Sequence, residues 1–158
     1  MGLCGPYRGL RRQIAGLVIA FHLVAGGTAI ARDLTIDELK GRVASTGIAE
    51  RPALCIQISE RELDAADKLY AAGDDAKAQA ALVDVAAFSE LARDYAIQSH
   101  KHEKQSEIAV RKMAHKLADL KHAVAHEEQE RVQDTINRLE RVRDDLLAAM
   151  FPNGGKKK

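Results

Sequence analysis

The sequence predicts an all-α protein: elongated helical hairpins packed as an antiparallel bundle in the manner of a coiled coil. Three observations predict it. Apolar residues recur at steps of three and four from Ile36 to Met150, and no segment alternates in the way a half-buried strand requires. The stripes are narrow and set between charges, which suits helices paired along their length. Beyond residue 31 the only aromatics are Tyr70, Phe88, Tyr95 and Phe151, while Ala, Leu, Glu, Lys and Arg abound, a composition of long helices rather than a thick core.

The chain opens with a cationic segment. Arg8, Arg11 and Arg12 precede an apolar run from Ile14 to Val24, which closes on Ala29-Ile30-Ala31. A positive end, an apolar middle and small residues at Ala29 and Ala31 form the pattern of a secretory signal peptide cleaved after Ala31. The competing reading is an uncleaved anchor, for which a run of about 17 residues is at the lower limit. Residues 1–31 are thus assigned to the leader, 32–151 to a helical domain and 152–158 to a flexible Lys-rich tail. All 23 acidic residues lie after the leader with 21 of the 24 basic ones, a formal charge of −2 that gives no electrostatic case for nucleic acid. Cys4 belongs to the leader, so Cys55 stands alone beside Leu54 and Ile56 and reads as a buried small hydrophobe.

Helix one starts at Thr35, where Glu38 three residues on completes a capping box. Ile36, Leu39 and Val43 give its stripe, with Gly41 and Gly47 as bounds. Pro52 opens helix two, because a missing N–H costs nothing in a first turn. Leu54, Ile58, Ala65 and Leu69 share one face, and Ala72-Gly73 ends the helix. Asp74 or Asp75 caps helix three, whose Ala78, Ala81, Leu82, Val85, Phe88, Leu91, Ala92 and Tyr95 recur helically. The junction from Leu69 to Asp74, with Ala78 five residues after Gly73, resembles the inter-helix turn of a tetratricopeptide repeat. That resemblance implies a helical hairpin, and an adaptor would carry a peptide groove between helices two and three. No second copy occurs at a period of about 34 residues.

Residues 98–107 are wholly polar yet hold no Gly or Pro, which predicts one continuous helix from 74 to 123, about 75 Å long. The competing reading is a loop with Ser106 as the cap of a new helix. Met113, Leu117, Leu120 and Val124 continue the stripe, and a gap before Val132 predicts a reversal at 124–130. The last helix, with Val132, Ile136, Leu139, Val142 and Leu146, is then expected antiparallel to helix three, ending before Pro152. Its charges, among them Glu127, Glu128, Arg131, Arg138, Arg143 and Asp145, read as a solvated face.

Chemistry-bearing patterns are few. His122 and His126, spaced i,i+4 on one helix, are placed to share a Zn²⁺, Cu²⁺ or Ni²⁺ ion, with Asp119 one turn before His122 and His100, His102 or Glu103 as completing ligands. No serine stands in a nucleophile elbow and no Gly-rich phosphate loop follows a strand, so an enzyme is not expected. The function expected is an exported, non-catalytic helical scaffold or protein-interaction module, periplasmic or extracellular. It would self-associate or hold a protein partner through its stripes, need no cofactor, and meet a membrane only through an uncleaved leader. The alternatives are an envelope metal-binding or metal-sensing protein and a single tetratricopeptide-like adaptor.

Overall fold

The computed structural model describes residues 33–152. Five helices occur among them: α1 (Ile36–Val43), α2 (Arg51–Ala71), α3 (Asp75–Ser99), α4 (Glu103–Ala123) and α5 (His126–Met150). None is long and apolar enough to cross a membrane. The expected leader, with Ala29 and Ala31, and residues 153–158 of the expected tail lie outside the described residues.

Local signals act where the sequence puts them. Thr35 accepts from the Glu38 N–H at 3.2 Å, and its own N–H donates to Glu38 Oε2 at 2.7 Å. Gly41 does not bound α1; it lies inside it, and the helix runs on to Val43. Arg51 fixes the following turn by donating to the carbonyls of Thr46 and Ala44, with its guanidinium 5.1 Å from the Tyr95 ring centroid. Gly73 takes φ +74°, which closes α2 with the Asp74 N–H bonded to the Leu69 carbonyl, five residues back. Asp74 then caps α3 by accepting from the Lys77 N–H.

The single long helix expected from 74 to 123 is broken. α3 stops at Ser99, and both His100 (φ 52°) and His102 (φ 62°) are left-handed. Ser106 is not a cap; it is buried inside α4, with its hydroxyl unpartnered among the described residues. A continuous helix would carry Val110, Met113, Leu117 and Leu120 past the end of α3 into solvent. Each left-handed residue costs about 1–2 kcal/mol. Burying those four side chains stabilises by roughly 1.5–3 kcal/mol each, so the break wins.

The result is two hairpins of matched lengths. α2 and α4 are 21 residues each, and α3 and α5 are 25 each. The second reversal sits at Val124–Ala125, at the edge of the expected window, with Val124 extended. α5 runs antiparallel to α4, joined by Lys121 to Gln133 and Arg143 to Glu107. It runs parallel to α3, not antiparallel as expected, because the break at residue 100 turns α4 back first. Three rungs set this parallel register: Gln79–Glu128, Glu90–Arg138 and Arg93–Asp145. α2 likewise lies beside α4, where Lys116 meets Asp64.

The shared core joins Cys55, Leu63, Leu82 and Val85 of the first hairpin to Val110, Leu117, Leu139 and Leu146 of the second, all at 2% exposure or less. The small helix α1 closes one side: Lys40 Nζ lies 2.6 Å from both Glu62 and Asp84 and 5.6 Å from the Phe88 ring centroid. Burial opposes the charge of that amine, yet hydrogen bonds to Asp84 and Glu62 hold its pKa above the ordinary value.

Relaxing the break should stabilise the protein. His100→Gly is expected to raise the unfolding free energy by about 0.5–1 kcal/mol, the left-handed penalty less glycine's greater chain entropy, as read from urea denaturation. A pH dependence follows from the Glu90–Arg138 rung. The bidentate bond from Arg138 holds the Glu90 carboxyl below its ordinary 4.5, against the opposing effect of burial. A depressed carboxylate contributes stability above the unfolded value and loses it as pH falls through the folded one. Urea midpoints should therefore fall from pH 5 to pH 3. With both partners a third exposed, Glu90→Gln should shrink that fall by a few tenths of a kcal/mol up to about 1.

Candidate functional site

Helix α3 carries more apolar residues than one stripe can use. Ala78, Ala81, Leu82, Val85, Ala92 and Ala96 point into the core. A second set, Ala76, Ala80, Val83, Ala87 and Leu91, recurs at steps of four, three, four and four on the outer side. Ala87 is half-buried and the other four are exposed. Val83 is 59% exposed and Leu91 37%, two of the four exposed large apolar side chains among the described residues. Leu91 was placed in the helix's apolar stripe; its position about 100° around the helix from Ala92 puts it outside. The sequence signal for this face was the surplus of apolar residues itself, which a single-stripe reading absorbs into the core.

α1 and α5 flank the strip. On the α5 side an open cavity of about 360 Å³ lies between the two helices, with Leu82 and Val83 on one wall and Arg131, Asp134, Arg138 and Arg141 on the other. Arg138 is held by Glu90. The side chains of Arg131, Asp134 and Arg141 make no hydrogen bond or ion pair among the described residues, so two guanidiniums and one carboxylate stand ready beside an apolar wall. Arginine is suited to that role because its planar fork binds carboxylates in pairs and is weakly hydrated.

The charges on the rest of α5 do more than face solvent. Glu128 is buried, accepts from Tyr70 Oη at 3.1 Å and from Gln79 Nε2 at 2.9 Å, and so ties the α2–α3 turn to the first turn of α5. Burial and the Glu128 contact hold the Tyr70 phenol well above its ordinary range. Glu107 is equally buried and accepts from Arg143 at 3.1 Å. Neither glutamate stands out in the sequence, since each sits in a run of polar residues.

The histidines are not assembled as expected. α4 ends at Ala123 and Val124 is extended, so His122 and His126 lie on different helices and lose the i,i+4 stacking. Both are exposed, as is Asp119, which sits at the rim of the α2–α4 groove beside Asp67 and Lys116. His100, His102 and Glu103 are at the other end of α4, about 30 Å away, where His102 Nε2 is 3.9 Å from Glu50. Among the described residues no three His, Cys, Asp or Glu side chains are grouped to hold a metal ion. The groove expected between α2 and α3 is filled by their own packing, with Ser59 and Ser89 hydrogen-bonded in the interior. Shallow hollows run instead between α2 and α4, floored by Leu63, Met113 and Leu120.

The chain matches no protein-family model, no curated protein and no solved structure.

Cys55 is fully buried, and burial pushes its thiol pKa up to about 11. In a Cys4→Ser chain, iodoacetamide at pH 8 should therefore label Cys55 at least a hundredfold more slowly than in urea, with labelling read by intact mass. Comparable rates in the two conditions would contradict the buried thiol.

Proposed function

We propose that this chain is an exported, non-catalytic helical scaffold that works by protein–protein contact, with the outer face of α3 as its interaction surface. The observation that carries the reading is the strip from Ala76 to Leu91: the inward stripes are spent on the core, and this apolar face is left over. Exposed apolar surface costs free energy in water, and such faces rimmed by charge mark interaction sites. The adjoining guanidiniums of Arg131 and Arg141 supply the polar rim that lends an interface its specificity. Export is supported by the cationic, apolar and small-residue order of residues 8–31.

The test has two readouts on one strain. Mass spectrometry of the exported fraction should find a chain beginning at Arg32. A photo-crosslinking amino acid at Val83 should trap a protein, while the same group at Lys112 on α4 should trap none. A full-length chain confined to the cytoplasm would remove the export claim, and equal trapping at both positions would remove the α3 surface.

A further inference from the structure

We infer that the partner seated on α3 is a second copy of this chain, paired antiparallel about a two-fold axis near Val83. The inference rests on reading α3 as an interaction surface and names the occupant. The strip runs about 22 Å along the helix, and four of its five positions pair about a single two-fold point. An axis between Val83 and Asp84 brings Ala76 of one copy to Leu91 of the other and Ala80 to Ala87. The Val83 side chains then meet at the centre. Small alanines at 76, 80 and 87 let the helices approach closely, and each large side chain of one copy falls against a small one or its own equivalent.

The charges beside the strip obey the same axis. Gln79 is level with Glu128, and Glu90 with Arg138. The axis therefore crosses α5 between Val132 and Gln133. An in-plane two-fold turns the α5 edge of one copy toward the α5 edge of the other. Arg131 of each copy then faces Asp134 of the other, twice over by symmetry, and Arg138 faces the exposed Glu127. The Arg131 guanidinium and the Asp134 carboxylate have no hydrogen-bond or ion-pair partner within the chain among the described residues, so the pairing would give them one. Arg131 and Asp134 line the same cavity as Val83, which places apolar and charged contacts on one surface. An isologous interface demands this self-complementarity. Its modest extent fits the lower size class of interfaces and micromolar association.

The arrangement is tested by disulfide cross-linking in intact cells that produce the full chain carrying Cys4→Ser, oxidised with copper phenanthroline. Cys55 is buried and stays silent. Val83→Cys should give a covalent dimer. Ala76→Cys and Leu91→Cys should each give at least tenfold less alone, yet cross-link when produced together. Lys112→Cys should give none. Arg131→Asp should lower the Val83→Cys dimer at least tenfold, and Arg131→Asp with Asp134→Arg should restore it, because each copy then offers the reversed pair. A dimer from Leu91→Cys alone would overturn the antiparallel pairing, and equal dimer from Lys112→Cys would make the contact nonspecific. An adduct at position 83 with another protein and no homodimer would overturn self-pairing and leave the interaction surface standing. No adduct of any kind at position 83 would overturn both.

Discussion

Neither hairpin can bury its apolar side by itself, and the stacking of the second on the first is the contact on which the structure depends. Leu117, Leu139, Val142 and Leu146 share one buried cluster with Cys55, Leu63, Leu82 and Val85 of the first hairpin. Two antiparallel helices shield one stripe each and leave the other side of the pair exposed, so a lone hairpin in water is marginal. Stacking with α2 along α4 and α3 along α5 closes the core, and the matched helix lengths let it close along the whole span.

That contact also explains the break at His100. A straight α3–α4 helix is locally favoured, since residues 98–107 are good helix formers. It loses because it would hold the two hairpins apart. The strain is confined to a three-residue turn in which the Lys101 N–H still bonds the Ala96 carbonyl. Register is then set by polar side chains. The rungs between α3 and α5, and the buried Glu128 held by Tyr70 and Gln79, would each be left unpaired by a slip of one turn. An unpaired buried carboxylate is costly enough to make such a slip unfavourable.

Much of this was legible in the sequence and some was not, for physical reasons. Thr35, Pro52, Gly73 and Asp74 act on their immediate neighbours, so their effects could be read directly, as could the burial of Cys55 and the apolar stripes of α4 and α5. The end of α3 could not, because nothing local ends it; tertiary burial does, and burial is invisible to propensity. The same break made α5 parallel to α3. Likewise the metal pair His122 and His126 depended on helix continuity through Val124, which the second reversal removes. Glu107 and Glu128 look like solvated charges until the partner helix supplies Arg143, Tyr70 and Gln79.

Helix α3 is therefore used twice, inward for the core that holds both hairpins and outward for a partner. Its inner row is alanine-rich, which brings α2 close, and its outer row repeats the same chemistry, exposed among the described residues at Ala76, Ala80, Val83 and Leu91. The most direct measurement is the concentration dependence of methyl NMR shifts in the full chain. The methyls of Val83 and Leu91 should move on dilution from millimolar to micromolar while those of Leu139 and Leu146 stay fixed. Outer methyls that hold still across that range, or core methyls that move with them, would contradict it.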